Sequence, residues 1–356
     1  MSSNNFFVRL KRKVKQVVTR ARLTRAIPDN TKRLIVFLSP GHEFRAGGIM
    51  AIALMCQESL ALGKLHDAEV VMCTVPGDPP LLKYSWFENS RYMLDLDAVL
   101  RRCGSLDYLL LHIPEYEVNQ VLEWLKSSPA LLRNIRELHL NVMIFNIEKI
   151  EGQDVAGLQQ FGKVTCTTAH EAYSNQTARA ALGVPLHRLV ICTGAEFYSP
   201  SDYEAKEPIL IVSSDAHPLK ESVLRKIAQE LPDLRIEIIQ NLSYDEYKKL
   251  IRRAKWALTF GEGLDGYFAE PVFSGSISFA VYNPRFFTPA FAKLENVYPS
   301  WEVLLEKIAD DMKRLDEPVA YSRVWRPAYD LLSEHFDTNR FRENLRAFYR
   351  GEYTLP

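Results

Sequence analysis

The chain has 356 residues, 47% apolar and 25% charged, with 44 basic side chains balancing 44 acidic ones. That composition suits a globular protein with room for two hydrophobic cores, and no run approaches the ~20 apolar residues of a membrane span. The five cysteines stand singly, with no C-x-x-C, which excludes a disulfide framework or a cysteine zinc site and fits a reducing cytoplasm.

The balanced charge hides an asymmetry. Arg9, Lys11, Arg12, Lys13, Lys15, Arg20, Arg22 and Arg25 all fall in residues 1–25, where there is no acidic residue. Removing those eight leaves 36 basic against 44 acidic, about −8 for the remainder, which argues against nucleic acid as a partner of the body. Phe7, Leu10, Val14, Val17, Val18 and Ala21 recur at helical spacing among the basic residues. Residues 1–30 therefore read as a basic amphipathic helix for an anionic membrane surface, or as a solvated helix packed on the body or a basic arm. The stretch has no uninterrupted apolar core and no small-residue cleavage site, so no secretory leader is expected.

From Arg33 the pattern is α/β. Leu34–Leu38 is an apolar run of the length of a buried parallel strand, followed by the loop Ser39–Gly48 and a helix from Ile49 to about Leu62. Further strands are expected at 68–75, 108–112, 141–145, 163–168 and 189–193, with helices at 115–127 and 169–182. The acidic triplet Asp95-Leu96-Asp97 has the form of a metal-binding D-x-D. It precedes Ala-Val-Leu-Arg-Arg, so Asp97 is expected to cap a helix instead.

The polar break at 199–208 marks a domain boundary, after which the alternation restarts. Strands are expected at 209–213, 234–239 and 256–260, and helices at 220–231 and 244–254, the second opened by a capping box of Ser243 and Glu246. The expected organisation is an N-terminal Rossmann-like domain at 31–200, a C-terminal one at 205–330, and a helix at 331–356 that returns to the first. Two such doubly wound domains would face a cleft.

Glu262 and Glu270 then flank Gly263-Leu264-Asp265-Gly266, with Pro271 following the second glutamate. Pro271 suits the first position of a helix, which places Glu270 at the helix start. There its carboxylate can accept both hydroxyls of a ribose, and the turn can aim backbone N–H groups at a diphosphate. Two glutamates at a loop and a helix start are also what dipole preference alone would produce.

At these residues the second half resembles the nucleotide-sugar domain of GT-B-fold glycosyltransferases, in particular the retaining family 4. That family's signature is Glu, seven residues, Glu, then glycine five positions on; Glu262, Glu270 and Gly275 match it. The glycines Gly47 and Gly48 resemble the family's N-terminal loop, and Lys220 its lysine. The resemblance implies a two-domain GT-B fold and a hexosyl- or related glycosyltransferase with neither cofactor nor metal. Its donor would be a nucleotide-sugar held by Lys220, Gly263, Leu264, Asp265, Gly266 and Glu270, and its acceptor a glycan or lipid-linked group. Glu262 and His112 would stand against the donor sugar; His42, Arg45, Gly47 and Gly48 would form the acceptor or phosphate loop. His112 is equally readable as a structural histidine, and Arg45 as a surface arginine. No carboxylate stands out as a general base.

Two departures accompany the match. Asp265-Gly266-Tyr267 replaces an uncharged turn, and Ser213-Ser214-Asp215 stands where the family carries a phosphate-binding arginine. Other expectations are retention of configuration, a role in bacterial surface polysaccharide or lipopolysaccharide synthesis, and a place in the cytoplasm against the inner face of the plasma membrane. The alternatives are an epimerase on the same fold and a non-catalytic binding or scaffold subunit.

Overall fold

The computed structural model describes residues 16–43, 46–88, 91–190 and 194–356. The chain divides into two compact units. Unit 1 comprises residues up to Ala169, Ser174–Leu189 and Glu343–Pro356; unit 2 comprises His170–Tyr173 and Val190–Arg342. The division falls at 189/190, ahead of the polar break expected to mark it. The intervening strap packs on unit 2: Tyr198 stacks on Phe273, and Tyr203 O–H donates to Asp316 at 2.8 Å.

Unit 1 is a seven-stranded parallel sheet: β1 Arg33–Ser39, β2 Glu69–Thr74, β3 Met93–Asp95, β4 Tyr108–Pro114, β5 Leu138–Ile144, β6 Lys163–Thr168 and β7 Leu186–Arg188. Their order is β3-β2-β1-β4-β5-β6-β7. The strand order reverses between β1 and β4, so the crevice for ligands lies beyond the carboxyl ends of those two strands. Every residue of β5 is buried, as expected for a strand covered on both faces.

The D-x-D segment serves the fold. Asp95, not Asp97, caps the helix Leu96–Cys103, accepting Ala98 N–H at 2.8 Å. Asp97 accepts the indole N–H of Trp124 at 3.0 Å. The cap falls two residues early because β3 runs straight into the helix.

Unit 2 has five parallel strands: β8 Glu207–Val212, β9 Arg235–Ile238, β10 Ala254–Leu258, β11 Ile277–Val281 and β12 Val297–Tyr298, in the order β12-β11-β10-β8-β9. Period-two alternation divides β8 between two cores. Leu210 and Val212 join Trp256, Leu258 and Phe279 under helices Lys220–Glu230 and Trp301–Leu315. Ile209 and Ile211 join Ala257, Leu250 and Ile251 under helix Tyr244–Arg253. Both halves of the Ser243–Glu246 capping box are present. Here the order reverses between β8 and β10.

Gly275 ties the sheet to the strap. Its φ is +93°, and a Cβ there would lie 2.4 Å from the Ser201 carbonyl oxygen. Beside it the buried Lys206 ammonium donates to the carbonyls of Ser274 (2.7 Å) and Ile251 (3.2 Å). Gly275→Ala should destabilise the protein by about 3 kcal/mol, left-handed backbone strain and overlap combined, as a lowered denaturant midpoint. An unchanged midpoint would show that the strap yields freely.

Candidate functional site

In unit 2 the loops after β8 and β10 meet at the switch point. Ser213 Oγ accepts Phe260 N–H at 2.9 Å, joining the two loops directly. Lys220, opening the next helix, donates from Nζ to the carbonyls of Ser213 (2.6 Å) and Asp215 (2.8 Å) and lies over the Phe260 ring. An ammonium has three donors, so one is left for a ligand. Burial lowers the Lys220 pKa, against the pull of Asp215.

Asp265 is the centre of this corner. Its Oδ1 accepts Phe268 N–H at 2.9 Å and its Oδ2 accepts Thr259 O–H at 3.1 Å. It is therefore the N-cap of helix Gly266–Phe273. This corrects two expectations. The helix begins four residues before Glu270, so Pro271 is an interior proline that forgoes one backbone bond, not the first helical residue. The first-turn N–H groups expected to meet a diphosphate are partly taken by the protein's own carboxylate.

Asp215 reinforces that charge. A Cβ built on Gly261 would lie 2.8 Å from Asp215 Oδ2 and 3.1 Å from Asp265 Oδ2, so both carboxylates border the same glycine. Asp215 Oδ2 is buried and has no hydrogen-bond partner. Burial, then the neighbouring Asp215, pushes the Asp265 carboxyl up to about 7, opposed by the Phe268 and Thr259 hydrogen bonds.

Glu270, one helical turn in, is 6% exposed and sits among tyrosines. Tyr244 O–H donates to its Oε2 at 3.3 Å, and Tyr198 and Tyr244 hydroxyls lie 2.7 Å apart. Burial pushes its carboxyl up to about 7, with the Tyr198 and Tyr244 hydrogen bonds opposing. A Cβ on Gly266 would come within 2.9 Å of Glu270 Oε1, and Gly266 is exposed. The glycine thus leaves the path to that oxygen open. Glu262 is partly exposed on the loop, two residues after Phe260. Gly263 has φ +95°, and a Cβ there would strike the Phe287 ring at 2.4 Å, so the turn requires glycine. Leu264 is 4% exposed: its side chain fills the core, and only its backbone is available to a donor.

In unit 1 the loop after β1 carries His42, exposed and 3.8 Å from Asp78. Asp78 also accepts Gly41 N–H at 2.7 Å. Gly47 and Gly48 open helix Gly47–Ala61, which has no side-chain cap; Gly47 faces open space, and Gly48 rests on the Phe145 ring. Arg45 lies outside the described residues.

His112 does not join these residues. Strand β4 continues past it to Pro114, which leaves it 0% exposed in the sheet interior. It stacks on Phe37 at 4.2 Å, and Asn141 Nδ2 donates to its Nδ1 at 3.0 Å, while Nε2 has no partner. Burial lowers its pKa well below the usual imidazole value. A side chain so enclosed touches no substrate, and the expectation of a catalytic role is withdrawn.

Reading the sequence missed Glu115, the first residue after β4. It is 1% exposed, its Oε1 accepts Asn146 N–H at 2.9 Å, and its Oε2 has no partner. Burial pushes its carboxyl up to about 7. Its place at the carboxyl end of a switch-point strand was the available signal.

No family model matches the chain, and no curated protein matches it in sequence. Solved structures do. Sucrose-phosphate synthase from Thermosynechococcus elongatus has a TM-score of 0.56 at 14% identity, over 90% of this chain and 99% of that one. An α-glucosyltransferase in complex with UDP-glucose and DNA containing an abasic site has a TM-score of 0.56 at 12% identity, over 89% and 98%. An α,α-trehalose-phosphate synthase (UDP-forming) from Burkholderia vietnamiensis has a TM-score of 0.54 at 10% identity, over 90% and 97%. The fold class is that of the GT-B glycosyltransferases, with two parallel sheets.

Proposed function

We propose that the protein is a glycosyltransferase that moves a sugar from a nucleotide-sugar to a glycan or lipid-linked acceptor with retention of configuration. Its setting would be the synthesis of a bacterial surface polysaccharide. The observation that carries the reading is Glu270: a buried carboxyl at the unit 2 switch point, oriented by Tyr198 and Tyr244, with Gly266 leaving Oε1 open. A carboxylate so held accepts the two vicinal hydroxyls of a ribose. The likeness to structures that carry UDP-glucose or UDP-2-fluoro glucose supports the choice of donor. Glu262 would meet the donor sugar, and the free donor of Lys220 the diphosphate. The departing phosphate would take the acceptor's proton, so retention needs no protein base.

Calorimetric titration with UDP and UDP-glucose tests the reading. Binding is expected, and Glu270→Ala should weaken it about a hundredfold, the worth of two charge-assisted hydrogen bonds. No heat with any nucleoside diphosphate would sink it.

A second reading has its own observation. Asp265 occupies the helix N-terminus and Asp215 stands beside it, so a diphosphate meets two carboxyl groups and one partly committed ammonium. That charge pattern favours a non-catalytic subunit that keeps the fold without the transfer. Nucleotide binding without release of sugar from UDP-glucose, to water or to added glycans, would decide for it.

A further inference from the structure

The described part of the basic N-terminal segment is docked with Val17, Val18 and Ala21 turned outward. Residues 16–26 are helical; Arg20 and Thr24 form their inner face, and Ile27 just beyond the helix is buried with them. Arg20 is the pin: its guanidinium donates to Thr74 Oγ1, to the Leu94 carbonyl at 2.8 Å and to the Met93 carbonyl at 3.2 Å. The exposed side carries Val17 and Val18, each 62% exposed, with Ala21, Arg22 and Arg25 also exposed. Two adjacent valines that the fold does not need for its core are left in water beside two arginines. The helix's direction follows from its ends. Thr74 closes β2 at the carboxyl edge of the sheet, whereas Ile27 meets Arg102 (Nε to carbonyl, 3.1 Å) just before the chain enters β1 at Arg33. The helix therefore runs antiparallel to β1, with its first described residues toward the edge that bears the loop of His42 and the opening of helix Gly47–Ala61.

We propose that the outer face of helix 16–26, formed by Val17, Val18, Ala21, Arg22 and Arg25, is a docking surface for an anionic lipid bilayer. Docking there lays the helix along the membrane, with the loop of His42 beside its N-terminal end. Charge selects this occupant. The first 25 residues hold eight basic and no acidic side chains, while the rest of the chain carries about −8. An anionic surface attracts the helix and repels the body, which fixes which side approaches. Valines between the arginines fit the headgroup–acyl boundary and have no counterpart in a nucleic-acid backbone. A lipid-linked acceptor would then arrive at the loop edge. That last step rests on the proposed function; the docking surface does not.

Co-sedimentation of the full chain with vesicles of equimolar phosphatidylcholine and phosphatidylglycerol tests it, with phosphatidylcholine vesicles and high salt as controls. Binding is expected only to the anionic vesicles at low salt. Val17→Glu with Val18→Glu, and separately Arg22→Glu with Arg25→Glu, should each weaken it at least about tenfold, since a basic residue at such a surface is worth about fivefold. Bound protein should show slowed amide exchange over 16–26. Binding equal on both vesicle types, variants that sediment like the parent, or unchanged exchange over 16–26 would overturn the proposal. So would a dimer in free solution that Val17→Glu with Val18→Glu dissolves, or tighter binding to DNA than to vesicles. UDP titration of the same preparations keeps the two readings apart: loss of UDP binding in the parent protein defeats the donor site and leaves the lipid result standing.

Discussion

Lowering the pH from about 7 to about 5 should release the C-terminal segment of unit 1 and destabilise that unit. Four of its histidines surround one patch. His66 lies against Tyr349, His112 against Phe348 and Tyr349, His139 against Phe348, and His187 against Phe348 and Tyr353. His187 Nε2 also bonds the Asn344 carbonyl at 2.7 Å. All four are buried, and burial is the first cause holding each below its ordinary pKa, His139 down to about 3. The charged groups nearby mostly work the same way: Lys163 on His139, Arg188 on His187 and Arg33 on His66, with only Asp67 opposing at His66.

The sign follows from linkage. The unfolded chain takes protons below about 6.5 that the folded unit refuses, so stability is full above that value and falls as pH drops toward the folded pKa. For His139 alone the loss reaches about 2 kcal/mol by pH 5, and the other three act in the same direction. Glu115 and Glu117, both pushed up to about 7, gain protons on folding in this window and offset part of the loss. Amide exchange over 343–356 should therefore accelerate on acidification. His139→Gln, which keeps a polar group on Tyr108 and Thr165 but cannot take a proton, should shift the onset to lower pH. Exchange that is flat with pH, or an onset unmoved in the variant, would show that the patch is not what senses acid.

What was legible in the sequence is what short-range physics determines. Apolar runs such as Leu34–Leu38 and Ile209–Val212 are strands of buried parallel sheets, and Ser243 with Glu246 caps a helix as its spacing requires. The misreadings came where two local signals competed. Pro271 carries the preference of a helix start, but Asp265 offers a better cap six residues earlier, and one lost backbone bond does not outweigh it. His112 looked like a strand end because the apolar run stops there, yet β4 continues through Ile113 and Pro114. The tyrosines around Glu270 come from separate elements, residue 198 in the strap and residue 244 at a helix start. No linear spacing could have joined them to it.

Asp265→Asn should stabilise the protein at about pH 8, by roughly 2–4 kcal/mol, and leave it unchanged below about pH 4. Asp265 has an ordinary pKa of 3.8 and is pushed up to about 7 in the fold. The folded state thus retains a proton that the unfolded chain has already released. Stability is lost as pH rises between those values, and the full penalty is present above 7. Asparagine removes the charge while its side-chain oxygen still accepts the Phe268 N–H, so the helix keeps its cap. The same substitution takes one negative charge from the corner where a diphosphate would sit, and UDP should bind about tenfold more tightly, a gain of ~1.4 kcal/mol. The two readouts separate the roles of this carboxylate. Lower stability at pH 8 in the variant would mean that the charged form makes a favourable contact. Unchanged stability gains with weaker UDP-glucose binding would place Asp265 on a sugar hydroxyl, where an acceptor-only oxygen pair is needed and an amide is a poor replacement. Tighter UDP binding together with the alkaline stabilisation would mean that the acidic corner opposes the donor's phosphates and weakens the site.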